Sequence, residues 1–186
     1  MSIAAAFRRA VERALMRRGS GELVDATLVS LTGTVSPIGA PLLAPVSGKP
    51  CVAFVARARV FASRHRTGTR FLGEHVDRNA IPFELVTDTT RVVVDPTVCR
   101  LLAPLSPSIP RSLKREQAWL ASVEIARLGD RSCEEACIEL HARVVVRGIA
   151  QRELDDAATG ELGFRESPTR FRIIGDRDHP VLIDRA

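Results

Sequence analysis

Val52, Phe54, Ala56, Ala58 and Val60 are apolar at every second position, with Arg57 and Arg59 between them. No helix keeps such a set on one side, whereas successive side chains of a β-strand point to opposite faces. Residues 51–62 therefore predict a strand with one buried and one wet face. The same period runs through "CIELHARVVVRGIAQREL", where Ile138, Leu140, Ala142, Val144 and Val146 predict one long strand. From Leu23, with Val24, Ala26 and Leu28 alternating, a third long strand runs to Ser36-Pro37, with a glycine bulge at Gly33. "IPFELVTDTTRVVVDP" reads as a hairpin turning at Asp88-Thr89-Thr90, and "RFRIIG" and "PVLID" as two short strands around a turn at 176–179. Residues 63–80, polar with two glycines, read as an extended hairpin or loop.

Only two segments carry helical spacing. Ile3, Ala6, Phe7, Ala10, Val11, Ala14 and Leu15 form an apolar stripe, with Arg8, Arg9, Arg13 and Arg17 away from it, so residues 1–20 predict an N-terminal amphipathic helix. Leu113, Trp119, Leu120, Val123, Ile125 and Ala126 predict a short helical insertion at about 110–128, closed by Gly129. Many strands, few helices and long connections predict a mainly β protein built as a Greek-key barrel. With 186 residues in the chain, one domain over 21–186 is expected. Val52, Phe54, Ile138, Leu140, Val144, Ile173 and Ile183 are its expected common core.

Between the first two strands lies "PLLAPVSGKPCV". Pro41, Pro45 and Pro50 each fix φ and lack an N–H, which disfavours helix and ladder alike and predicts a rigid connection. Gly48 supplies a positive φ beside them, and Cys51 opens the next strand as a small core residue rather than a reactive thiol.

Composition narrows the chemistry. The net charge of +5 and pI near 9.7 invite a nucleic-acid reading, but the cations, nearly all Arg, are spread along the chain. Arg57, Arg59 and Arg64 are the candidate basic face, with a solvated strand face as the simpler reading. Four Cys make no dense disulfide framework, which points to reduced thiols in a cytoplasmic setting. Cys133, Cys137 and His141 would converge on a zinc ion if helical, but on a strand four residues span about 13 Å, so no metal site is expected. Gly48-Lys49 is followed by Pro50 and lacks the upstream glycine of a phosphate loop, and no serine nucleophile elbow is present. No catalytic residue and no cofactor is predicted.

Several blocks together resemble the GIDE domain, the extracatalytic domain of membrane-anchored ubiquitin ligases of mitochondria and chloroplasts that also occurs in bacterial proteins. They are Gly33-Thr34-Val35 leading to "PLLAPVSGKPCVAF", "PFELVTDTTRVVVDP", "VVVRGIAQRE" and "GFRESPTRFRIIGDRDHPVLID", spanning about residues 24–184. The resemblance implies an OB-like antiparallel β-barrel in which Pro45, Ser47, Gly48 and Cys51 form a shaped loop, binding or structural, at the entry to a core strand. The ligases add transmembrane segments and a RING; the sequence contains neither the Cys and His sets of a RING nor an apolar run of the roughly 20 residues that span a bilayer. Ubiquitin transfer is therefore not carried over.

The expectation is a noncatalytic module that binds a protein or peptide, with an OB-like single-strand nucleic-acid binder as the alternative. One Trp, no Tyr and seven Phe give that alternative few stacking platforms. The N-terminal helix has three outcomes: packing on its own barrel, peripheral membrane contact through residues 1–18, or a partner's groove.

Overall fold

The computed structural model describes residues 10–12, 14, 16, 21–64, 68–107, 113–124, 130–154 and 169–186. In chain order the elements are β1 (Thr27–Pro37), β2 (Leu42–Leu43), β3 (Pro50–Arg64), β4 (Gly68–Ala80), β5 (Phe83–Val86), β6 (Arg91–Val94), β7 (Cys99–Leu101) and β8 (Ser106–Pro107). Helix α1 (Leu113–Ser122), β9 (Asp130–Glu139), β10 (Arg143–Leu154), β11 (Thr169–Ile174) and β12 (Val181–Arg185) follow. The protein is mainly β, and it divides into two compact units. The first comprises residues 1–40, 81–102 and 141–186; the second comprises 41–80 and 103–140.

The first unit contains a closed five-stranded barrel. Its strands run β1, β5, β6, β11, β10 and back to β1, an OB-like circuit in which every pair is antiparallel except β6–β11. β12 pairs with β10 beside the circuit and carries β7 on its far side. Closure is written into the alternation: Val29, Leu31 and Val35 of β1, Phe83 and Leu85 of β5, Val92 and Val94 of β6, Val144 and Val146 of β10 and Ile173 of β11 are all buried. On β1 the buried parity is the opposite of the one read from the sequence. Val24 and Leu28 are exposed, and the strand starts only at Thr27 after Ala26, whose φ is 56°.

The expected bulge at Gly33 is absent, since β1 and β10 stay in continuous register from Thr27↔Ala150 to Thr34↔Arg143. The glycine has another cause. β1 passes from β10 to β5 at this point, and a Cβ on Gly33 would stand 2.6 Å from the carbonyl oxygen of Val86 and 2.9 Å from Cγ of Leu85.

The long strand expected over 137–154 is two strands. His141, at φ 61°, breaks it; its N–H donates to the Val35 carbonyl, and the Val35 N–H donates to the Ala142 carbonyl, both at 3.0 Å. The β5–β6 hairpin needs no glycine, because Thr87 closes it: its hydroxyl oxygen accepts the Thr90 N–H at 3.0 Å, and its own N–H donates to the Thr90 carbonyl at 2.9 Å.

The second unit is a sheet with a helix on one face. β3 lies between β9 on one side and β2 then β4 on the other, and β8 flanks β9. The helix, placed by the sequence at about 110–128, ends at Ser122, where Val123 and Glu124 turn the chain with φ 60° at Glu124; residues 125–129 lie outside the described residues. Trp119 and Leu120 of α1 pack with Phe54, Ala56, Ala58, Val60 and Cys137. The two alanines in mid-sheet leave the volume that an indole fills.

Six of the seven expected core residues are buried, Val52, Phe54 and Ile138 in the second unit and Val144, Ile173 and Ile183 in the first, while Leu140 is only half-buried.

Residues 10–12, 14 and 16 are helical, and the rest of 1–20 lies outside the described residues. The helix packs on its own unit: Met16 clusters with Leu102 and Leu182, its carbonyl accepts the Ser30 hydroxyl at 2.6 Å, and Glu12 pairs with Arg100 at 2.6 Å. It does so through the side that carries Glu12 and Met16. Ala10, Val11 and Ala14, on the stripe expected to be covered, are exposed, Val11 by 42%. Among the described residues no helix is long and apolar enough to cross a membrane.

Candidate binding surface

Proline and glycine shape the loop from Ala44 to Lys49, as the sequence implies. Ala44 N–H donates to the Lys49 carbonyl at 3.0 Å and Gly48 N–H to the Ala44 carbonyl at 2.9 Å, which closes the loop on itself; Gly48 takes φ 69°. Two further N–H groups point inward. The carboxylate of Glu135 on β9, 8% exposed, accepts them: Val46 N–H at 2.9 Å on Oε1 and Ser47 N–H at 3.1 Å on Oε2. Ser47 is buried, and its Oγ accepts the Lys49 N–H at 3.3 Å. Lys49 in turn pairs with Glu139. The side chain of Arg115 lies against Gly48, where a Cβ would meet its Nε at 3.0 Å. Of the four candidate loop residues, Pro45 and Gly48 are half-buried, and Ser47 and Cys51 are buried.

Glu135 was not identified from the sequence. It occupies the sheet face turned to α1, since it stands opposite Ala56, which packs in that cluster. An acid in an otherwise apolar row was the available signal.

Polar groups of β4 meet the α1 tryptophan. Trp119 donates its indole N–H to Asp77 at 3.3 Å, and its ring meets that of His75 edge to face at 6.4 Å between centroids. Burial, reinforced by the neighbouring Cys137 and Glu135, pushes the Cys51 thiol up to about 12. Burial and a hydrogen bond to Glu116 push Cys133 up to about 12 as well. Neither thiol is a ready nucleophile. Cys133 and Cys137 lie on β9 and His141 in the turn that follows; among the described residues no cluster of His, Cys, Asp or Glu is placed to hold a metal ion.

The opposite sheet face bears the candidate basic residues. Arg57 stands in register with Glu134 and bonds its carboxylate through Nε at 2.8 Å and through a terminal nitrogen. Arg59 stands in register with Glu74, its Nε 3.7 Å from that carboxylate, and its terminal nitrogen is 3.7 Å from Glu134. What the sequence presents as a basic row is a charge-paired ladder across three strands. Arg64 ends β3, and its side chain lies outside the described residues.

Large exposed apolar side chains occur on both units: Val11, Val24, Leu28, Ile38 and Leu154 on the first, and Leu43, Phe71 and Leu72 on the second. Phe71 and Leu72 of β4 are 54% and 50% exposed, with Phe61 edge to face on Phe71 at 5.9 Å, and Leu43 of β2 is 52% exposed. β4 pairs only with β3, so its other edge carries no strand among the described residues. Leu72 is a bulge between Phe61↔Phe71 and Val60↔Gly73, which leaves Gly73 to Ala80 as the regular part of that edge.

On the barrel's β5–β6 side, Glu84 and Arg91 form an ion pair at 3.9 Å. Arg172 of β11 is held between Glu153 at 2.8 Å and Asp95 at 3.3 Å. These paired charges define the polar exterior of an OB-like barrel. No family model, curated protein or solved structure matches the chain.

Proposed function

We propose that this chain is a noncatalytic protein- or peptide-binding module, in keeping with its resemblance to the GIDE domain, and that the second unit supplies the contact surface. One observation carries the reading. Leu43, Phe71 and Leu72 stand exposed on that unit, with an unpaired strand edge at β4, while Arg57 is paired with Glu134, Lys49 with Glu139 and Glu135 with the 44–49 loop. Large apolar side chains next to open backbone groups are what a protein or peptide partner covers. Single-stranded nucleic acid would instead require free guanidinium groups and exposed stacking rings along one groove. Arg57 and Arg59 are engaged with carboxylates, which favours the protein partner.

Photo-cross-linking tests the proposal. A photoreactive amino acid at Leu43 or Phe71, introduced into the full chain in its native cell, is expected to yield a discrete protein adduct. The identified protein, purified, should bind the chain, and Phe71→Asp with Leu72→Asp should abolish binding while the circular-dichroism spectrum stays that of the native fold. Adducts only to nucleic acid, or binding untouched by these substitutions, would overturn it.

A further inference from the structure

The regular edge of β4 reads Gly73-Glu-His-Val-Asp-Arg-Asn79, a stretch in which the carboxylate of Glu74 and the guanidinium of Arg78 stand symmetrically about Val76. Glu74 lies two residues before that centre and Arg78 two after; His75 lies one before and Asp77 one after. We propose that this edge pairs antiparallel with the same edge of a second copy of this chain, on a two-fold axis through Val76. The inference deepens the binding-module reading by naming one partner of the second unit.

The register follows from strand geometry. A two-fold perpendicular to the sheet sets residue 76+n opposite residue 76−n of the other copy and keeps each on its own face. Val76 then meets Val76, Glu74 meets Arg78 twice, His75 meets Asp77 twice, and Gly73 meets Asn79. Glu74, Val76 and Arg78 share the face of the arginine ladder, because they stand in register with Arg59, Arg57 and Val55. His75 and Asp77 share the face of α1.

Neighbouring registers fail on charge. Centring on Glu74 sets Glu74 against Glu74, centring on Asp77 sets Asp77 against Asp77 and Val76 against Arg78, and centring on His75 leaves both Glu74 and Arg78 facing apolar residues. Arg78 is exposed and has no ion pair among the described residues, while Glu74 has only the 3.7 Å contact with Arg59. The seven residues extend for about 24 Å, the length of an ordinary strand pairing. Charged residues on an exposed edge normally discourage pairing. Here their order discourages every register near the centre but one.

Sedimentation or light scattering of the full chain over a concentration series reads the result, with Glu74→Arg, Arg78→Glu and the double variant beside it. The wild type is expected to dimerise reversibly. Each single variant sets two like-charge contacts at once and should weaken the dimer about tenfold or more; the double variant restores both pairs and should recover it. The circular-dichroism spectrum should stay native in all three, since both positions are exposed. Val76→Cys should give an intermolecular disulfide under mild oxidation, as directly opposed residues approach closely enough.

A monomeric wild type overturns the proposal. So does a dimer indifferent to the single substitutions, or one that the double variant fails to recover. A monomer leaves the adduct to a different protein at Phe71 unaffected, and a chain that captures no other protein can still dimerise, so the two readings fail separately.

Discussion

Removing the buried carboxylate of Glu135 should destabilise the second unit strongly. The two loop donors, Val46 N–H and Ser47 N–H, belong to buried residues, and the loop offers them no other acceptor while Ala44, Lys49 and Gly48 are bonded to one another. A hydrogen bond to a charged group contributes about 1.5–3 kcal/mol, and a buried donor left without a partner costs about 1–3 kcal/mol. Glu135→Ala removes both bonds at once, for a loss of about 3–5 kcal/mol, a large share of the ~5–15 kcal/mol that holds a typical domain. Glu135→Gln keeps one acceptor oxygen but turns an amide NH₂ toward the other N–H, so about half that loss is expected.

Urea unfolding followed by tryptophan fluorescence is the assay. The chain's one Trp sits on α1 in the same unit and therefore reports its melting. Hydrogen exchange at residues 46 and 47 supplies the local readout, with protection at both amides lost in Glu135→Ala. If Glu135→Ala unfolds within about 0.5 kcal/mol of the wild type and both amides keep their protection, the loop does not depend on this carboxylate.

Three further outcomes follow from the same structure. Gly33→Ala should destabilise the barrel by about 1–3 kcal/mol in equilibrium unfolding, because the new methyl group meets the Val86 carbonyl; a neutral result would show that β1 and β5 separate without cost. Cys51 and Cys133 should react with iodoacetamide near neutral pH far more slowly in the native chain than in denaturant, since burial pushes both thiols up to about 12; fast native labelling of Cys51 would contradict its placement. Asp95 is held below the usual carboxylate range, first by the Thr97 hydroxyl and also by Arg172. A carboxyl depressed in the folded state adds stability that is present above its unfolded pKa, ~4, and lost as pH falls through the folded value, so Asp95→Asn should flatten the acid side of the stability profile below about pH 4 and leave its neutral slope unchanged.

What was legible in the residues is the alternation, and what was not is the partner each alternating face finds. β3 could be read because its apolar and charged residues keep strict parity from Val52 to Val60. β4 was read only as an extended hairpin or loop, of which the structure forms the hairpin, because both its faces are polar: Glu74 and Arg78 look outward on one side, while His75 and Asp77 look toward Trp119 on the other. The break at His141 is invisible to periodicity, since Leu140, Ala142 and Val144 continue the count across a turn that a positive φ makes. Division into two units escapes for a similar reason: Phe54 and Val144 carry the same signal, and only the order of strand pairing assigns them to different cores.

At the N-terminus Ala10, Val11 and Ala14 of the apolar stripe are exposed, the rest of the stripe lies outside the described residues, and the described turns are held by Met16 and the Glu12–Arg100 pair. In the loop, Pro45 and Gly48 announced a rigid shape, but the acid that fixes it lies 88 residues from Ser47, beyond the reach of any local motif.

We propose that the second unit, rather than the barrel wall, is where another protein binds. Hydrogen exchange of the full chain with and without its purified cross-linked partner tests this most directly. The account predicts new protection within residues 41–80, strongest around Leu43 and Phe71, with β5 and β6 unchanged. Protection confined to residues 83–94 of the barrel, with none in 41–80, would contradict it.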